Sequence, residues 1–184
     1  MNIYTIRHGQ TDINKENKIQ GRHGLPLNET GIKQAEVAKE KLKNVKFDFV
    51  FSSPQERAIQ TAQIATGVNP IIDERLNVYD IGEAENLILD DVVFVNDMYP
   101  DPSIYEGVED LDHYLSRLFG FMDELIEKYR NEPINVLISG HSCTTGCITA
   151  YFEGIPEDNN FIKLANKNAE VKVFELKLKN SYIL

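Results

Sequence analysis

At 184 residues the chain is long enough to bury roughly 70% of the surface its unfolded form exposes, and one domain over 1–184 is expected. With 42% hydrophobic and 26% charged residues it has the composition of an ordinary globular protein. A net charge of -10 and a pI near 4.9 argue against nucleic acid, which demands a basic face, and against an anionic membrane surface.

The first strand is expected over 2–7, short and rich in Ile, and it runs straight into Arg7-His8-Gly9-Gln10-Thr11. Ile32, Ala35, Ala38 and Leu42 at helical spacing predict a helix over 32–42. A second strand over 47–52 ends in Ser52-Ser53-Pro54-Gln55-Glu56. That run reads as a helix start, with Ser as cap and Pro at the first helical position. The helix runs to about residue 65, where Gly67 can end it.

From 76 to 116 there is no Lys or Arg but there are eleven acids. Within this stretch Tyr99-Pro100-Asp101-Pro102 is expected to be irregular. It reads either as a solvated connection or as a lid or specificity segment.

A long amphipathic helix is predicted over 109–129, then a strand over 134–139 and a helix from His141 to Gly154. A final strand lies near 170–179, with an inward face that changes at Phe174, as a bulge or two-sided burial would produce. Strands alternating with helices in this way predict a three-layer α/β sandwich with a mainly parallel central sheet.

No apolar run approaches the ~20 residues that span a bilayer. No basic stretch followed by an apolar core marks a secretory signal. Cys143 and Cys147, the only cysteines, stand four apart on one helix, a spacing unsuited to a structural disulfide. A cytoplasmic location is the expectation that remains.

Chemistry gathers at three strand ends: Arg7 and His8, then Ser52-Ser53-Pro54 leading to Arg57, then Ser139-Gly140-His141. In a parallel sheet these ends share one edge, where ligands bind. Two arginines, two histidines and a helix N-terminus suit a phosphoryl group, because guanidinium forks match its oxygens. Each residue also has a plainer reading. Arg57 alone would be a surface arginine and His141 a hydrogen-bonded core histidine. Their coincidence at strand ends favours a site. A zinc site at Cys143, Cys147 and His141 would be one ligand short, and His23 and His113 have no evident partner.

Arg7-His8-Gly9-Gln10-Thr11 with Asn14, Gln20-Gly21, the stretch 25–35, the stretch 52–62 and Ser139-Gly140-His141 follow one another in the order found in a known family. Over residues 2 to about 150 the chain resembles the histidine phosphatase superfamily, in its phosphoglycerate mutase-like branch. The resemblance implies that His8 is the nucleophile and passes through a phosphohistidine. It implies further that Arg7, Arg57 and His141 hold the phosphoryl oxygens, with Asn14, Gln20 and Gly21 helping, and that no cofactor or metal is needed. The expected partner is a small-molecule phosphoester, not nucleic acid or membrane, and the expected assembly a monomer or homodimer.

One position departs from the pattern. Similar chains carry a glutamate as proton donor in a Leu-x-Glu segment shortly before a glycine, whereas Leu76-Asn77-Val78 places valine there. General acid help is typically worth ~10²–10⁴ in rate. Three explanations compete. Asp80, two residues on, would share the side of residue 78 in an extended segment. Glu83 or Glu85 would turn into the pocket. Otherwise no acid is present, and turnover is confined to leaving groups that need little protonation, or is absent.

The favoured reading is a phosphomonoesterase acting on a small phosphorylated metabolite. A non-catalytic phosphate-binding regulator, a phosphoglycerate mutase and a protein phosphatase are the alternatives. If the acidic stretch borders the pocket, it should disfavour multiply anionic substrates.

Overall fold

The structure is a computed structural model and describes residues 1–158 and 160–176. Its centre is a five-stranded sheet of β1 (Asn2–Arg7), β2 (Phe49–Ser52), β3 (Ile71–Ile72), β6 (Asn135–Gly140) and β7 (Val171–Glu175), in the order β3-β2-β6-β1-β7. The first four run parallel, and β7 lies antiparallel against β1. Helices α2 (Glu29–Leu42) and α3 (Glu56–Thr66) cover one face, and α4 (Leu111–Tyr129) and α5 (Ser142–Glu153) the other.

The strand period of two decides which side chain joins which layer. Ile3, Val136 and Ile138 enter the core under α4 and α5 with Leu118, Met122, Cys147 and Ile148. Ile6 and Leu137 point the other way, to Ala38, Leu42, Ala62 and Ala65. This is the three-layer architecture expected, with a sheet buried on both faces. Among the described residues no helix is long and apolar enough to cross a membrane.

Helix α2 begins three residues before the periodic pattern does, because the Asn28 side chain accepts from Gly31 N at 2.9 Å and caps it. Gly67 ends α3 at φ 74, as expected. Strand β7 pairs with β1 without interruption from Val171 to Glu175 and buries only Phe174, while Val173 is exposed. No bulge is present in that span, and the expected continuation over 177–179 lies outside the described residues.

Two short elements, β4 (Phe94–Val95) and β5 (Tyr99–Pro100), form an antiparallel hairpin. Tyr99 and Pro100 are therefore not irregular. Proline fits because a two-residue edge strand can do without its N–H. Elsewhere the acidic stretch includes 3-10 turns at Gly82–Ala84 and Leu89–Asp91 and ends in the first turns of α4.

Candidate active site

β1 delivers Arg7 and His8 to the carboxyl edge of the sheet, and a set of backbone anchors fixes them there. His8 N donates to Gly140 O at 2.9 Å, Gly9 N to Thr61 Oγ1 at 3.0 Å, and Asn168 Nδ2 to His8 O at 2.9 Å. His8 is 4% exposed, and its Nδ1 lies 2.7 Å from Gly9 O. A carbonyl can only accept, so Nδ1 carries the proton and Nε2 keeps a free lone pair. Burial holds this imidazole well below the ordinary histidine range, and the cations of Arg57 and Arg7 push it further down. The neutral form is thus the resting form.

His141 precedes α5, is 2% exposed, and stacks obliquely on His8 with 5.3 Å between ring centroids. Its Nε2 lies 2.8 Å from Ser53 Oγ. Ser53 was expected to cap α3. Its hydroxyl does accept from Gln55 N at 3.3 Å, but the helix proper starts later, with Gln55 at its cap position, and the same hydroxyl also holds His141. Burial, then Arg57, His8 and Arg7, keep His141 well below the ordinary histidine range too.

Arg57, in the first turn of α3, is 1% exposed, and its Nη2 donates to Gly21 O at 2.9 Å. Burial lowers its guanidinium to about 10, so it stays charged at neutral pH. The loop that receives it is held by Glu85, whose carboxylate accepts from Gly21 N at 3.0 Å and His23 N at 2.9 Å and meets His23 Nδ1 at 2.8 Å. Gly24 comes so close to Arg57 Nη1 and the Gln20 amide that a Cβ would not fit there. Arg7, lowered by burial, reaches Asn166 O with Nη1 at 3.4 Å.

Arg7, His8, Asn14, Gln20 and His141 line one cavity of about 540 Å³, within the range of small-molecule sites. Around it, among the described residues, Arg7 Nε, Arg57 Nε, Gln20 Nε2 and His141 Nδ1 are buried without a protein partner. Asn14 Oδ1 accepts from Thr11 N in the capping box of α1 (Asp12–Lys15), which leaves its NH₂ as donor. Such a set of donors suits an anion. No group of three or more His, Cys, Asp or Glu among the described residues is arranged to hold a metal ion.

Val78 lines the same cavity, 5% exposed, in the position where the resemblance calls for an acid. The strand-like segment carrying it is clamped by Arg117, which donates to the carbonyls of Arg75, Asn77 and Val78 at 2.8–3.1 Å. Neither candidate donor, Asp80 or Glu83, lines the cavity. Asp80 is 3.1 Å from Arg22 Nη1 and accepts from Gly82 N. Glu83 is exposed and accepts from Glu106 N. The reversal at Gly82, with φ 51, carries Glu83 away from the cavity, while Asp80, which precedes it, is held by Arg22. Glu85 faces inward, but toward the loop at 21–23.

Sequence reasoning missed Asn168, Ser142, Lys18 and Asp97 on the cavity wall. Ser142, beside His141, could have been read from the motif. Asp97 sits in the acidic stretch without distinction. Asn168 gave no signal, since the β1–β7 pairing that carries it here is not visible in local pattern.

The sequence model of the histidine phosphatase superfamily (branch 1) matches residues 3–183. The chain belongs to that superfamily. Within it, the chain is 32% identical over 158 residues to "Uncharacterized phosphatase PhoE" of Bacillus subtilis (strain 168), covering 84% of this chain and 79% of that one. It is 28% identical over 167 residues to "Probable phosphoglycerate mutase GpmB" of Yersinia pestis (strain Pestoides F), covering 85% and 76%. Among solved structures, YhfR of Bacillus stearothermophilus superposes with a TM-score of 0.78 at 26% identity, covering 95% of this chain and 90% of that one. The alpha-ribazole phosphatase of Shigella flexneri gives 0.81 at 24%, covering 98% and 96%, a likeness of fold.

Proposed function

We propose that this member of the superfamily is a phosphoric monoester hydrolase that works through phosphorylated His8 on a small phosphorylated metabolite. The observation that carries the reading is the His8 imidazole, with Nε2 bare and Nδ1 fixed on Gly9 O at 2.7 Å, in a cavity lined by Arg7 and His141, with the buried Arg57 guanidinium, outside the lining, close enough to depress both histidines. The Nε2 lone pair attacks phosphorus, the ester P–O bond breaks, and its electron pair leaves with the oxygen. Water then attacks phosphorus, the P–N pair returns to Nε2, and the proton that water loses balances the one the departing oxygen takes up. The arginines hold the equatorial oxygens, where transition-state charge collects.

The test is turnover of p-nitrophenyl phosphate and capture of an acid-labile, base-stable phosphoryl group on the protein. His8→Ala should abolish both. A variant that retains turnover would assign the nucleophile elsewhere. Val78 favours a second reading, a phosphate-binding regulator with the pocket but no acid. Phosphate binding without any turnover would support it.

A further inference from the structure

Val78 removes the acid and, at the same time, helps to make the wall apolar. Beyond the phosphoryl clamp the 540 Å³ cavity is bounded by Ile19, Val78, Leu89, Phe94, Met98 and Ile162. Behind Val78 lies a side pocket of about 100 Å³, which shares Ile19, Val78, Met98 and Ile162 and adds Tyr79 and Phe161. The polar atoms of the Val78 backbone are taken, N by Asn77 Oδ1 at 2.9 Å and O by Arg117 Nη2 at 3.1 Å. The Val78 segment itself offers no proton.

Two ionisable side chains outside the clamp reach the cavity. Asp97, exposed at the tip of the β4–β5 hairpin, is its one carboxylate among the described residues. Buried Asn160 holds the tip by donating to Asn96 O at 2.9 Å, and the neighbouring Lys163 ammonium is paired with Asp158 rather than with Asp97. Lys18 lies at the rim with its Nζ 2.7 Å from Glu16 Oε2. Both belong to exposed, charged surroundings rather than to the clamp.

We infer that the site is matched to a phosphate monoester of an acidic hydroxyl, a phenol or enol, carrying an apolar body that packs on the Val78 wall. This rests on the His8 reading and names its substrate class. The leaving oxygen departs as its own anion with the electron pair of the broken P–O bond and takes its proton afterwards from water. A phenol, with a pKa of about 10, bears this, whereas an aliphatic alkoxide does not.

The experiment measures kcat/KM of the wild-type protein on nitrophenyl, phenyl and methoxyphenyl phosphates, naphthyl phosphate and an alkyl phosphate. The expected result is a steep fall as the leaving oxygen grows more basic, with the alkyl ester at least roughly 10²-fold below phenyl phosphate. The naphthyl ester should exceed the phenyl ester by roughly tenfold, from the added buried apolar surface. Val78→Glu should lift the alkyl ester alone by at least roughly tenfold, whereas Val78→Gln, of the same shape but without the proton, should not. A flat series in the wild type overturns the inference whatever the variants do, and loss of alkyl turnover in Asp97→Asn would then place the acid on the hairpin. If nitrophenyl phosphate itself is not turned over above the His8→Ala level, the His8 reading falls first and this inference with it.

Discussion

Gly31 and Gly120 are both helical glycines, and the same change to alanine should move the protein in opposite directions. A Cβ on Gly31, in the first turn of α2, would stand 2.8 Å from Gln10 N and closer still to Gln10 O, inside the 3.0 Å that real Cβ atoms essentially never show. Those atoms are backbone and cannot swing aside. Gln10 N donates to Gln34 Oε1 at 2.9 Å, and Gln10 O accepts from Asn28 N at 3.0 Å. Either the N-terminus of α2 must move out or the loop holding His8 must move in. Overpacking of this kind costs about 1–3 kcal/mol, a fall of roughly 3–10 °C in Tm for a chain of this size. Because Gln10 is two residues from His8, kcat/KM on p-nitrophenyl phosphate should also fall by roughly 10–10². Gly120, exposed in the middle of α4, has no atom within 4 Å of the added carbon. Gly120→Ala should raise stability by about 0.5–1 kcal/mol through helix propensity, with activity unchanged. Thermal melts and initial rates of both variants decide it. Gly31→Ala melting within a degree of wild type would refute the close-approach reasoning.

The buried histidines set an acid limit on stability. His8 and His141 sit well below their unfolded value near 6.5, so below that pH the unfolded chain binds protons that the folded one refuses. Stability should therefore fall as pH drops below 6.5, by up to about 1.4 kcal/mol per pH unit for each histidine. His141→Gln should flatten that slope in urea titrations at pH 5 to 7, and an unchanged slope would contradict it. Exposed His23, raised by Glu85, works in the opposite direction. Glu85→Ala releases the loop at 21–23 and with it the Gly21 carbonyl that holds Arg57. It should cost about 1–3 kcal/mol and weaken inhibition by inorganic phosphate roughly tenfold. Unchanged inhibition would mean that Arg57 is positioned without the loop.

The layered sheet and the gathering of Arg7, His8 and His141 at its carboxyl edge were readable because both follow from local pattern. Strand ends carry Arg7, His8 and His141, and the turn after β2 places Arg57 in the first turn of a helix. The search for the acid failed for a reason equally physical. Two-residue alternation pointed Asp80 inward, but the Arg22 guanidinium holds it outside the cavity lining, a pairing not visible in spacing. Ser53 was recognised as a helix-start residue, and its hydroxyl does take the Gln55 amide, but a capping pattern cannot reveal its second partner, a histidine brought in from 88 residues away. Likewise the acids of 76–116 read as one charged block, yet Asp97 is the one that reaches the cavity.

Asn166 and Asn168 give the anchoring of the site a temporal meaning. They tie Thr5, Arg7 and His8 to chain that lies 159–161 residues away. Contacts so remote close late, after local helices and neighbouring strands have formed. On the proposed function, activity regained during refolding should therefore lag behind helix content, since it requires these remote contacts to close. Recovered activity reports a finished molecule, where recovered helix content reports only a beginning.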